Sequence, residues 1–239
     1  MRLAGHSQFK NIMHRKGAQD AKRAKIFTKI IREITVAVQL GGGDTESNPR
    51  LRTALLSARA ANMPKDNVDR AIKKGLGQTD GASYSEMRYE GYGPGGTAFL
   101  VEALSDNRNR TAAEVRSCFT KHGGSMGEGG SVSFMFKHHG VIVYADTVDE
   151  EKLLEAALNG GAENFERCDK SFVIDAPRGD WQALRESLEA EFGEAQHAAI
   201  VWTPENRVDV GEKASSVEKL VNALEDNDDV QAVWHNATL

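Results

Sequence analysis

Between Val141 and Trp202 the chain alternates strand-length apolar runs with helix-length amphipathic ones, and few folds accept the resulting order. A strand over Val141 to Ala145 is followed by a helix over Val148 to Leu158, then strands at Ala162 to Arg167 and Ser171 to Ala176, a helix over Asp180 to Phe192 and a strand at Ala198 to Trp202. That β-α-β-β-α-β series predicts a ferredoxin-like sandwich. Upstream, a strand at Thr97 to Leu104, a helix at Thr111 to His122 and an alternating strand at Ser131 to Phe136 predict a β-α-β unit. Downstream, the helix Ser215 to Leu224 and the strand Val230 to His235 cannot bury themselves alone. Their expected place is the sheet of the upstream unit, which makes the ferredoxin-like series an insertion.

The first third reads differently. Phe27, Ile30, Ile31, Ile34 and Val38 recur at steps of three and four, stacking on one face of a helix from Asp20 to Leu40. Lys22, Lys25, Lys29 and Arg32 share the spacing and are expected on the opposite side. Gly41-Gly42-Gly43 ends that helix and Asn48-Pro49 opens another, with Leu51, Leu55 and Ala58 inward and Arg52 and Arg59 outward. A third helix begins near Pro64 and ends in Lys73-Lys74 before Gly75, basic residues and a glycine standing where the dipole and cap geometry favour them. The expected class is therefore α+β multidomain. A helical domain (1–78) precedes a discontinuous α/β domain (79–139 plus 208–239) and the inserted ferredoxin-like domain (140–207), with Leu76 to Ser85 as linker.

Charge divides along the same line. The whole chain carries 30 Lys and Arg against 35 Asp and Glu, a net of -5. Residues 1–75 hold sixteen basic and six acidic residues, a balance of +10, which leaves -15 for the rest. A block of that density predicts a polyanionic partner, most simply nucleic-acid phosphate. The alternatives are that it docks on the acidic part of its own chain or is a solvated surface. Before the first helix, His6, Lys10, His14, Arg15 and Lys16 form an arm with little apolar content, suited to phosphate contact and lacking metal-ligand spacing.

The loop Ser105-Asp106-Asn107-Arg108-Asn109-Arg110 leads into a helix with capping-box spacing at Thr111 and Glu114. Cations at a helix N-terminus oppose the dipole, so Arg108 and Arg110 call for an anion, either a phosphate or a carboxylate such as Asp106 or Glu114. Two glycine-rich loops, Gly91 to Gly96 and Gly123 to Gly130, do not fit a nucleotide cradle and read as turns needing positive φ, with amides that could still approach a nucleic acid. His138-His139 before Gly140 reads as a turn. No nucleophile elbow, H-E-x-x-H pair or ligand cluster is present, so no enzyme, metal or cofactor is expected. Cys118 and Cys168 form no C-x-x-C pair, and no stretch has the length and apolarity of a signal peptide or membrane span, which predicts a reducing, cytoplasmic setting.

These ordered motifs resemble a known family. Ala4-Gly5-His6-Ser7, His14 to Asp20, Phe27-Thr28-Lys29, Arg32 to Thr35, Asn48 to Arg52, Met63 to Asn67, Ala71 to Gly75, Tyr89 to Gly96, Asp106 to Thr111 and Gly129 to Val132 are similar to the YebC/PmpR family over nearly the whole chain. The resemblance implies three domains, one helical and two α/β. It also implies regulation of gene expression, since bacterial members are described as DNA-binding transcriptional regulators. Other members resemble translation factors at the ribosome, among them the mitochondrial translational activator of cytochrome c oxidase subunit I. Gln8-Phe9 stands where many members carry Lys-Trp, and Arg2-Leu3 precedes the usual start, which removes one cation and one indole from the arm.

The expected function is a non-enzymatic, nucleic-acid-binding regulator, read first as a DNA-binding transcriptional regulator. The alternative is a ribosome-associated translation factor binding ribosomal RNA or tRNA. A third reading is an adaptor whose acidic C-terminal domains bind a protein partner. Expected phosphate contacts are Lys10, His14, Arg15, Lys16, Lys22, Lys25, Lys29, Arg32, Arg52, Arg59, Arg108 and Arg110.

Overall fold

The computed structural model describes residues 21–79 and 83–239, with Ala21 and Lys22 described by backbone alone. In chain order the elements are α1 (Ala21–Gly41), α2 (Pro49–Ala60), α3 (Lys65–Gly75), β1 (Ser85–Tyr92), β2 (Ala98–Ser105), α4 (Arg108–Lys121) and β3 (Ser125–Met126). There follow β4 (Phe136–Ala145), α5 (Glu150–Asn159), β5 (Asn164–Cys168), β6 (Ser171–Pro177), α6 (Trp181–Phe192), β7 (His197–Pro204), β8 (Val208–Asp209), α7 (Ala214–Glu225), β9 (Val230–His235) and β10 (Ala237–Thr238). Residues 136–205 form one compact unit and the remaining described residues the other.

The three N-terminal helices close on each other through the predicted stripe. Ile30, Ile31, Ile34 and Val38 of α1 meet Leu51, Leu55 and Ala58 of α2 and Val68, Ala71 and Ile72 of α3. Phe27 does not join that cluster and instead lies under the Arg23 guanidinium, 5.6 Å from its ring centre. Buried Asn48 joins α1 to α2. Its Oδ1 accepts from Leu51 N at 3.0 Å as the N-cap of α2, while its Nδ2 donates to Ala37 O at 2.8 Å and Gly42 O at 2.7 Å at the end of α1.

Gly75 corrects an expectation. The cap is two residues later, where Gly77 at φ 71° lets Gly77 N reach Lys74 O and Gln78 N reach Lys73 O, both at 3.0 Å. Gly75 is instead a helix-crossing residue, since a Cβ there would sit 2.6 Å from Val38 Cβ and 2.7 Å from Thr35 O.

In the same unit the sheet order is β3-β1-β2-β9, antiparallel throughout. Val115 and Phe119 of α4 and Val217, Leu220, Val221 and Leu224 of α7 bury Phe99, Val101 and Val230. The expected β-α-β unit is not what forms. The segment Ser131 to Phe136 holds a short turn of 3₁₀ helix at Ser133–Met135, with Phe134 69% exposed, and β2 pairs with β1, a strand the sequence pattern missed. Helix α4 starts at Arg108, with Asn107 as its N-cap, so the capping box expected at Thr111 is not used.

The unit of residues 136–205 has sheet order β5-β6-β4-β7, antiparallel throughout, which is the ferredoxin-like arrangement. Leu153 and Ala157 of α5 and Leu184 and Leu188 of α6 cover Ile142, Tyr144, Phe172 and Ile174. His138, His139 and Gly140 lie inside β4 and not in a turn. Gly140 is there for clearance, because a Cβ would stand 1.8 Å from Cδ1 of Trp181.

Candidate nucleic-acid interface

The cations predicted to face outward from α1 are largely engaged by the chain itself. The run Glu225-Asp226-Asn227-Asp228-Asp229, just behind α7, lies against them. Lys25 Nζ donates to Asp226 Oδ1 at 2.8 Å and to Asp226 O at 3.0 Å, and Lys29 Nζ donates to Glu225 O at 3.1 Å. Both lysines thus cap the negative end of α7, where the last carbonyls lack helical partners. Burial is the leading influence on Lys29 and holds its pKa below the ordinary value, against the pull of Glu225.

Arg32 goes deeper. Its Nη1 donates to Asp229 Oδ1 at 2.5 Å, to Leu104 O at 3.2 Å and to Asp228 O. The Asp229 side chain is 4% exposed and also accepts, through Oδ2, from Ser105 Oγ at 2.8 Å, Thr111 Oγ1 at 2.5 Å and Arg110 Nη2 at 3.0 Å. Burial pushes this carboxyl up, but the bonds from Thr111, Arg110 and Ser105 and the Arg32 charge bring it down to about 2. The anion expected beside Arg110 is therefore a pair of carboxylates, since Arg110 also bonds Asp106 at 3.0 Å.

Other predicted contacts divide. Arg52 donates Nη1 to Thr45 O at 2.6 Å and Glu46 O at 2.7 Å, tying the α1–α2 loop. Arg59 and Arg108 are exposed and, among the described residues, pair with no carboxylate. Lys22 stands in the first turn of α1, and its side chain lies outside the described residues. Lys10, His14, Arg15 and Lys16 also lie outside them. The predicted stripe of Lys25, Lys29 and Arg32 is thus a joint between the helical domain and the middle sheet, not an open face.

Several residues of this joint were not singled out from sequence. Arg50 bonds Glu33 at 2.6 Å and reaches Glu86 of β1 at 2.7 Å. Tyr84 lies between two cations, with Lys74 Nζ 4.3 Å and the Arg32 guanidinium 5.5 Å from its ring centre. Four acids in the five positions 225–229 were the available signal for the counter-charge. The second glycine-rich loop offers fewer amides than expected, because Gly127 N donates to Glu90 O at 2.8 Å and the Gly130 amide to the Glu90 carboxylate, as do the residues just after the loop. Glu90 of β1, its side chain 1% exposed, accepts through Oε2 from Val132 N and Ser133 N, each at 2.9 Å. Burial raises the Glu90 carboxyl, but bonds from the Val132, Gly130 and Ser133 amides outweigh that and hold it below the ordinary value.

Among the described residues no group of three or more His, Cys, Asp or Glu could hold a metal ion, and no helix is long and apolar enough to cross a membrane.

Comparison with known proteins gives a consistent assignment. Residues 7–78 match the family model described as the TACO1/YebC protein N-terminal domain, and residues 84–237 match the one described as the TACO1/YebC second and third domain. Proteins of Nitrosomonas eutropha and Cupriavidus necator, each named a probable transcriptional regulatory protein, are 52% identical over 239 residues, covering 99% of this chain and 99% of their own. The crystal structure of a conserved hypothetical protein from Aquifex aeolicus is similar with a TM-score of 0.81 and 46% identity, covering 92% of this chain and 91% of that one. With the helical block, the four-stranded middle sheet and the ferredoxin-like unit all in place, the chain belongs to the TACO1/YebC family.

Proposed function

We propose that the chain is a cytoplasmic, non-enzymatic regulator of transcription that binds nucleic acid through the basic block of residues 1–75. The carrying observation is incomplete neutralisation. Among the described residues, three carboxylates from outside the block pair with its cations, Glu86 with Arg50, Asp226 with Lys25 and Asp229 with Arg32, while residues 23–75 carry eleven basic and five acidic residues, an excess of six positive charges. The names of the relatives from Nitrosomonas eutropha and Cupriavidus necator support the transcriptional part of the reading. Arg59 and the arm residues Lys10, Arg15 and Lys16 carry the contact in this reading, with Arg108 of the middle domain as a second point of contact.

Fluorescence anisotropy with a labelled duplex DNA at a series of salt concentrations tests this. If roughly five phosphates are engaged, log K against log salt falls with a slope near -4 to -5. A flat line overturns the reading. Crosslinking in cells followed by sequencing of the attached nucleic acid separates the roles, promoter DNA supporting transcription and ribosomal RNA or tRNA replacing it with translation.

A further inference from the structure

The contacts between α1 and the acidic run are of two grades. Arg32 and Asp229 meet in a buried network braced by Ser105, Arg110 and Thr111. Lys25 and Asp226 meet at the rim, their side chains 39% and 74% exposed. An exposed pair is weak and screened by salt, whereas removing one partner of a buried pair strands the other charge. A polyanion therefore faces a joint with one part that yields and one that does not.

We propose that Asp226 stands in for phosphate on the Lys25 edge of α1, and that a nucleic-acid backbone displaces it there while the half-buried Lys29 contact and the Arg32–Asp229 pair stay closed. The inference rests on the chain being a nucleic-acid binder. Three features support it. The acidic run presents to Lys25 what a phosphate strand would, anionic oxygen at Asp226 Oδ1 and the carbonyl oxygen of Asp226. The C-terminal dipole of α7 favours the lysines when no polyanion is present. A polyanion that replaces the carboxylate also releases counterions, which a carboxylate on the same chain does not. The edge is an anion-binding surface with a resident occupant, and its empty and occupied forms differ at the rim alone.

The test uses the full chain and a fluorescein-labelled duplex DNA of mixed sequence. Asp226→Asn is expected to bind about twofold to fivefold more tightly than wild type, the range an exposed pair commands, with a salt slope steeper by about one. Glu218→Gln, on the exposed side of α7, removes the same charge away from Lys25 and serves as control. Lys25→Gln with Asp226→Asn is expected to bind like Lys25→Gln alone, because the competing pair has already gone. An Asp226→Asn variant indistinguishable from Glu218→Gln, or a double variant that keeps the gain, overturns the displacement while leaving the proposed function standing. Absence of salt-dependent binding in wild type and Asp226→Asn alike overturns both.

Discussion

Arg32 and Asp229, 197 positions apart in the chain, are joined Nη1 to Oδ1 at 2.5 Å with side chains only 13% and 4% exposed. The pair lies where α1, the start of α4 and the turn before β9 converge. On the carboxylate side the pair is saturated: Oδ2 of Asp229 is taken by Ser105, Thr111 and Arg110, so the desolvated carboxylate is not left short of donors.

The Asp229 carboxyl is held at about 2, below its ordinary 3.8, so ionisation stabilises the fold. That contribution is complete above pH 4, is lost as the pH falls from about 4 to about 2, and is of the order of 2 kcal/mol. Asp229→Asn is expected to destabilise by about 3 kcal/mol at neutral pH, because Arg32 keeps no charged partner. It also removes this segment of the acid dependence. Denaturant unfolding across that pH range, followed by hydrogen exchange at β2 and β9, checks both, and an unchanged acid profile in the variant refutes the assignment.

Asn48→Ala removes one cap acceptor and two donors from the α1–α2 corner at once. The expected loss is about 2 kcal/mol, more than an isolated N-cap costs, since Ala37 O and Gly42 O lose their side-chain donor too. Asn48→Ser, which restores the acceptor only, should recover part of it in the same denaturation experiment.

Gly75→Ala sets helix propensity against clearance. Alanine favours a helix interior by about 1 kcal/mol over glycine, but the new methyl would enter the space of Val38 and Thr35 O, and overpacking costs typically 1 to 3 kcal/mol. Net destabilisation is expected; a raised melting temperature would show that α1 and α3 can move apart freely.

Glu90→Ala leaves the amides of Val132 and Ser133 buried without an acceptor, at a cost of about 2 kcal/mol. Faster hydrogen exchange at those two amides and earlier protease cleavage among Gly127 to Gly130 are expected. Protection equal to wild type would mean that another group takes the amides.

What could be read from the sequence followed the physics of each segment. The three helices of the basic block were legible because their apolar residues recur every three or four positions. Strand β1 was not, because the buried places in Ser-Glu-Met-Arg-Tyr-Glu-Gly-Tyr are held by Met87, Glu90 and Gly91, so the usual apolar alternation is absent. The reverse error came at Ser131 to Phe136, whose alternating Val132, Phe134 and Phe136 imitate a strand, while the Val132 and Ser133 amides bond to Glu90. As for the site, spacing placed Lys25, Lys29 and Arg32 on one side of α1, but it carries no information about a partner almost two hundred residues away.

That separation has a consequence for biosynthesis. Translation proceeds from the N-terminus, so Arg32 is made 197 residues before Asp229, and the edge strand β9 is made later still. Throughout that interval the nascent helical block has its apolar stripe satisfied locally while its arginine waits for an anion not yet polymerised. Closure of the middle sheet and locking of the first helix against it are therefore late events, completed together by the same short stretch of chain.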